Sequence, residues 1–211
     1  MMQAGAMKIP EGDEYFRRVF LRTGDKFQEE LYAAALALTP DRRIAIDVGA
    51  HVGSWTRMLA GHFREVWAFE PNDENFACLR ENTQHLAAFV ARMHVALSNK
   101  QGYCDMAPHK TGNSGCWRVV PGGSVRETTL DAFGMRNVDL IKIDVEGFEG
   151  AVIQGAVETI KALKPTIVFE DNGLGPKLFG DAWIDPKTIL ETLGYEHKQR
   201  VHKDEIWCAS R

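Results

Sequence analysis

The sequence predicts an α/β domain built on a mostly parallel sheet with helices on both faces. Three features carry this. Short apolar runs alternate with segments of helical period along most of the chain. Several of those runs end in an acid, and the first leads into a turn holding two glycines, Gly49 and Gly53.

Residues 1–13 read as irregular. From Glu14 to Leu38 the period is helical, with Phe16, Val19 and Phe20 on one face and Leu31, Ala34, Ala35 and Leu38 on another, and Thr39-Pro40 stops the second helix. The period then shortens. Ile44–Val48 is a buried strand, Trp55–Ala60 a helix closed near Gly61, Val66–Glu70 a second strand, and Asp73–Leu86 a helix with Pro71 at its first turn. Val90–Leu97 reads as a third strand, and 98–127 as turns with short hairpins. Val138–Asp144 is a fourth strand, Gly150–Leu163 a helix and Pro165–Glu170 a fifth strand. Asp185-Pro186 opens a helix ending at Gly194, and two strands close the chain, near Tyr195–Val201 and Glu205–Ala209. The organisation expected is a helical extension over 1–39 and one ligand-binding domain over 40–211. In such sheets ligands bind beyond the carboxyl ends of the strands, where strand order reverses.

At 211 residues with 45% hydrophobic side chains the chain fills one core. A net charge of -4 argues against a general nucleic-acid binder, so none is expected as a partner. No apolar run approaches the roughly 20 residues of a membrane helix. Cys78, Cys104, Cys116 and Cys208 are scattered without metal spacing, as in a reduced, cytoplasmic protein. Nothing in the sequence specifies an oligomeric state.

Four acids fall at strand ends: Asp47, Glu70, Asp144 and Glu170. A carboxylate beside a buried strand is costly without a partner, and several on one sheet edge suggest a polar ligand. The turn Asp47–Gly53 spaces its glycines as G-x-x-x-G, unlike the G-x-G-x-x-G of dinucleotide-binding loops. An acid before Gly49 would repel a pyrophosphate and suits a ligand carrying an ammonium group. Bare backbone at Gly49 lets that ligand approach, so a side chain there should enter its space. Glu70 is placed to accept hydrogen bonds from both hydroxyls of a ribose. The run Lys142–Glu149 holds three acids within six residues at the end of a strand, Asp144 with Glu146 and Glu149.

The stretches IDVGAHVGSWTRMLA, VWAFEPN, ALSNKQG, TTLDAF and LIKIDVEGFE, in this order, resemble the FkbM family of methyltransferases over about Ile44 to Glu170. The resemblance implies a Rossmann-like class I methyltransferase sheet of seven strands whose last strand is antiparallel. It also implies S-adenosylmethionine at the first loop and O-methylation as the usual activity. By motif position Asp47, Gly49, Ala50 and Gly53 would hold the methionine part of the cofactor, and Glu70 the ribose with Asn72 close by. Ala96 and Leu97 would lie near the adenine, and Asp144 at the centre of the active site.

Methyl transfer to a hydroxyl needs alignment and help with the proton. Asp144 is the first candidate for contact with the acceptor and Glu146 the next. Among the histidines His51 is the one to test, while His94, His109, His197 and His202 read as surface or strand residues. The ends of strands four and five also suggest a Mg²⁺ set of Asp144, Asp171 and Asn172, an arrangement resembling catechol O-methyltransferases. Against it, Asp171 and Asn172 can simply cap a turn before Gly173. The expected acceptor is a small molecule or carbohydrate hydroxyl, chosen by the irregular loops Gly102–Val125 and Gly173–Trp183. The competing readings are a nicotinamide-dependent oxidoreductase and a non-catalytic adenosine-binding module.

Overall fold

Seven strands of the computed structural model, which describes residues 1–210, form one sheet, and their order explains where a ligand can bind. In chain order the strands are β1 (Met2–Ala4), β2 (Met7–Ile9), β3 (Ile44–Val48), β4 (Glu65–Phe69), β5 (Val90–Met93), β6 (Ala96–Leu97) and β7 (Gly102–Pro108). They continue with β8 (Trp117–Pro121), β9 (Val125–Thr128), β10 (Val138–Ile143), β11 (Thr166–Glu170), β12 (Tyr195–Val201) and β13 (Asp204–Ala209). The helices are α1 (Glu14–Thr23), α2 (Glu29–Leu38), α3 (Ser54–Ala60), α4 (Asp73–Thr83), α5 (Glu149–Gln154), α6 (Val157–Leu163), α7 (Gly175–Phe179) and α8 (Pro186–Thr192).

The large sheet runs β12-β13-β11-β10-β3-β4-β5. β3 pairs in parallel with both β10 and β4, and β13 is antiparallel to β11 and to β12, so the last strand is the reversed one, as expected. Strand order reverses between β3 and β10, and the carboxyl ends of β4, β3, β10 and β11 therefore share one edge of the sheet.

The strands read as continuous apolar runs because both faces are covered. Ile46, Val48, Ile141, Ile143, Ile167 and Phe169 pack with Val152, Ile153, Ile160 and Leu190 on one side. Ala45, Leu140, Val66, Ala68 and Val168 pack with Leu31, Tyr32, Trp55, Leu59 and Leu79 on the other. The two-residue alternation along each strand sorts them.

Several local expectations need correction. Residues 2–9 form an antiparallel hairpin, and Ala4, Met7 and Ile9 are buried with Phe16, Phe20, Val52 and Cys78. The third strand breaks after Met93; Ala96-Leu97 leaves the large sheet and pairs with β9 in a second sheet of order β6-β9-β7-β8. Pro71 lies before α4 and not in its first turn; Asn72 caps the helix, its Oδ1 accepting the N–H groups of Glu74 (3.1 Å) and Asn75 (3.0 Å). The helix expected over Gly150–Leu163 divides at Gly155, which packs on the Ser98 backbone so closely that a Cβ would lie 1.9 Å from the Ser98 oxygen. Asp131 then caps a new helix, accepting the N–H groups of Glu158 (3.0 Å) and Thr159 (2.8 Å).

Candidate active site

The loop after β3 turns through three left-handed residues before α3 begins, Gly49 (φ 74°), His51 (φ 52°) and Gly53 (φ 91°). The N–H groups of Gly49 and Ala50 both donate to the Phe69 carbonyl at the end of β4, at 2.9 and 3.0 Å. Glu70 completes this tie: its Oε2 accepts the His51 N–H (2.8 Å) and its Oε1 the Asn72 N–H (2.9 Å). Each carboxylate oxygen keeps capacity for a further donor. Burial outweighs these bonds and pushes the Glu70 carboxyl up to about 7.

The loop borders a cavity of about 470 Å³, within the range of small-molecule sites. One end is walled by Phe69, Glu70, Val95, Ala96 and Leu97; the other holds His109, Cys116, Asp144, Glu146, Glu170 and Lys203. Gly49 and Ala50 lie on its wall as well. The strand order places β3 between β4 and β10, so this loop separates an end at Glu70 from an acidic end at Asp144.

Asp47, Gly53 and Asn72 are not on the cavity wall. Asp47 is fully buried beneath the loop, accepting the Thr56 hydroxyl (2.7 Å) and facing Lys142 Nζ at 3.5 Å. Gly53 (φ 91°) allows close packing, since a Cβ would meet Leu79 Cδ1 at 2.8 Å. Asn72 is occupied as a helix cap. These three shape the loop from behind, whereas Gly49, Ala50, Glu70, Ala96 and Leu97 face the cavity.

Lys142 points from the buried strand β10 to Asp144 Oδ2 (3.3 Å) as well as Asp47, with its ammonium over the Trp55 ring. Burial works against its charge, but the two carboxylates prevail and hold the ammonium above the usual lysine range. A lysine inside the run Leu140-Ile141-Lys142-Ile143 was the available signal for this buried pair.

Of the three acids that follow, Asp144 and Glu146 reach the cavity. Glu149 instead turns back, its Oε1 accepting the Gly147 N–H at 3.1 Å and the Val145 N–H at 3.3 Å. Glu146 sits at φ 54°, a conformation costing an L-residue roughly 1–2 kcal/mol. Such strain clusters at functional sites. Glu146, Asp144 and Glu170 bring carboxylate oxygens within 4.8 Å of one another. The magnesium set Asp144, Asp171 and Asn172 does not assemble. The Asp171 carboxylate pairs with Lys187 (2.8 Å) and Arg200 (3.7 Å), and Asn172 Oδ1 accepts the Leu174 N–H (2.9 Å), the turn-capping alternative.

Burial, then Asp144 and Glu146, push the Glu170 carboxyl up to about 8. A carboxyl raised above its unfolded value of 4.5 contributes stability that is complete below that value and lost as pH rises through about 8. Urea unfolding of the ligand-free protein between about pH 5 and about pH 9 should therefore show falling stability that Glu170→Gln makes shallower. An unchanged slope would remove Glu170 from this account.

A hairpin loop between β7 and β8 roofs the cavity, closed by the His109 N–H donating to the Cys116 carbonyl (3.0 Å). Ser114 pins it down. The Ser114 hydroxyl donates to the Asp13 carboxylate, and its carbonyl accepts from Asn75 Nδ2 (2.8 Å). With that hydroxyl proton committed, His51 Nε2 must donate to Ser114 Oγ (2.6 Å). Burial pushes His51 down to about 4, so it is neutral at pH 7, and its ring packs on Phe16 at 4.4 Å. His51 thus joins the Asp47–Gly53 loop to the roof. His109, read from sequence as a surface or strand residue, lies on the cavity wall with Nε2 3.1 Å from Glu146 Oε2.

A family model described as the methyltransferase FkbM domain matches residues 47–196. The chain belongs to the FkbM methyltransferase family. The hexuronic acid methyltransferase AglP of Haloferax volcanii is 27% identical over 137 residues, which cover 62% of this chain and 57% of that relative. Methyltransferase FkbM from Methylobacillus flagellatus KT superposes with a TM-score of 0.52 at 18% identity, covering 96% of this chain and 48% of its own. A Streptococcus mutans protein solved in complex with SAH gives a TM-score of 0.51 at 14% identity, covering 87% and 98%. The chain thus spans about half the length of the first two. At these identities the structural likeness shows the fold, the class I methyltransferase sheet.

Within the FkbM frame, the motifs located the Asp47–Gly53 loop and the acids Asp144 and Glu146, but they did not reveal the groups around them. His109, Cys116, Asn75, Ser114 and Asp13 come from loops or helix ends whose sequence has no period to read.

Proposed function

We propose that this FkbM protein transfers a methyl group from S-adenosylmethionine to a hydroxyl of a sugar or similar small metabolite. The observation carrying the proposal is the two-ended cavity at the switch point between β3 and β10, with Glu70 at one end and Asp144 at the other.

The residues present fit the methyl donor. Glu70 has acceptor capacity for the two ribose hydroxyls, and Val95, Ala96 and Leu97 offer a buried apolar wall for the adenine. Asn75 Oδ1, buried on the same wall, lacks any hydrogen-bond partner, which suits a donor group of a nucleoside. Gly49 and Ala50 would flank the methionine part, and Asp144 would face the positive charge near the sulfonium. When bound, S-adenosylmethionine supplies an electrophilic methyl carbon. The chain itself orients the acceptor and excludes water through the roof at residues 109–116.

A carbohydrate acceptor is supported by the relative that acts on hexuronic acid. The acidic end favours an uncharged hydroxyl, while Lys110 and Lys203 on the wall offer cations to an anionic sugar. The missing G-x-G-x-x-G and the family match both weigh against the nicotinamide reading. Cytoplasmic residence belongs to this proposal as well; among the described residues no helix is long and apolar enough to cross a membrane. The test is incubation with methyl-labelled S-adenosylmethionine and either methyl β-D-glucoside or methyl β-D-glucuronide. Label in an O-methyl sugar is expected, and cofactor binding without transfer to either sugar would count against the acceptor class.

A further inference from the structure

We infer that His109 is the general base for the acceptor hydroxyl, held in its working orientation by Glu146. The inference rests on the methyl-transfer reading above and assigns the proton step within it. His109 Nε2 lies 3.1 Å from Glu146 Oε2, and Glu146 keeps that place through a left-handed backbone. Burial and Asp144 raise the Glu146 carboxyl and the His109 contact opposes them; as the ionised carboxylate it only accepts, so Nε2 carries the hydrogen of the neutral ring. Nδ1 then holds the lone pair, and it makes no hydrogen bond within the described residues. This is a base oriented by a third group, the recurrent arrangement for activating a hydroxyl.

The other groups at this end are less suited. Asp144 is ion-paired with Lys142 at 3.3 Å. Glu170 is raised to about 8 and carries its proton at neutral pH. The Cys116 thiol, beside the same pair, is pushed up by burial to about 11. Burial pushes the His51 ring down to about 4, which makes it a weak base for a hydroxyl, and its Nε2 hydrogen is held by Ser114. The charged or titratable neighbours that bear on His109 are Glu146 and Asp144 after β10, Glu170 at the end of β11, Cys116 and Lys110 on its own hairpin, and Lys203 before β13.

In the step itself, the acceptor oxygen bonds to the methyl carbon as its proton passes to Nδ1. The carbon–sulfur bond breaks with its electron pair left on sulfur, releasing S-adenosylhomocysteine. Glu146 stabilises the imidazolium, which afterwards loses its proton to water.

Two measurements on the full chain test this. Two-dimensional ¹H–¹⁵N imidazole spectra of the ligand-free protein should show His109 with the hydrogen on Nε2, and Glu146→Leu should remove that tautomer preference. Hydrogen on Nδ1, or a preference unchanged in Glu146→Leu, would overturn the dyad without reference to any acceptor. In turnover with the two methyl glycosides, His109→Gln should lower kcat by about 10²–10⁴-fold and remove the acidic limb of the pH profile. KM and S-adenosylhomocysteine affinity should stay unchanged. A retained kcat would sink the role. Wild type that binds S-adenosylhomocysteine but methylates neither glycoside would instead contradict the acceptor reading, leaving the spectra to decide the dyad.

Discussion

Lys142→Met should cost the fold about 3–5 kcal/mol at neutral pH, the usual loss when one partner of a buried ion pair is removed. Asp47 is fully buried, and its Oδ1 has no hydrogen-bond partner beyond the ion pair with Lys142. Burial already raises the Asp47 carboxyl, and Lys142 is the largest influence pulling it down. Without the ammonium, Asp47 is raised further and takes up a proton in the folded state. Stability linked to such a raised carboxyl is present below its unfolded value and lost as pH rises through the folded one. The deficit measured by urea unfolding should therefore grow from about pH 5 to about pH 8. Adding Asp47→Asn should recover part of it, because the stranded charge is gone. A pH-independent deficit would mean that lost packing, rather than the unpaired acid, dominates.

Gly49→Val should remove cofactor binding by deforming the site, not by filling the ligand's space as the sequence suggested. A Cβ at Gly49 would lie 1.9 Å from the Asp144 carbonyl oxygen and 2.9 Å from its carbon. Neither is a movable side-chain end. The residue also holds φ 74°, where an L-residue costs about 1–2 kcal/mol, and overpacking adds about 1–3 kcal/mol. Calorimetric unfolding should show a lower Tm together with loss of S-adenosylhomocysteine binding. A variant with native Tm that merely fails to bind would restore the original expectation.

The core strands were legible because β3, β10 and β11 are covered on both faces and must be apolar throughout. Glu70 and Asp144 were legible for the opposite reason, as acids where burial needs a purpose. The break at Gly155 was not, because it follows from contact with Ser98, far away in sequence. The hairpin at Met2–Ile9 was missed since three-residue strands carry too few alternations to show a period. The metal set failed on side-chain direction. The Asp171 N–H donates to the Lys203 carbonyl (2.7 Å), while its carboxylate is drawn to Lys187 and Arg200, neither of which strand order alone could place. His109 stayed hidden because hairpin closure against Cys116 and Ser114 sets its position.

The central claim is that the cavity beside Glu70 holds S-adenosylmethionine, and isothermal titration with S-adenosylhomocysteine tests it most directly. The account predicts one saturable site on the wild-type chain, weakened in Glu70→Ala by about 1.5–3 kcal/mol as hydrogen bonds to a charged group are lost. Heat of binding from NAD with none from S-adenosylhomocysteine, or a Glu70→Ala isotherm identical to wild type, would contradict it.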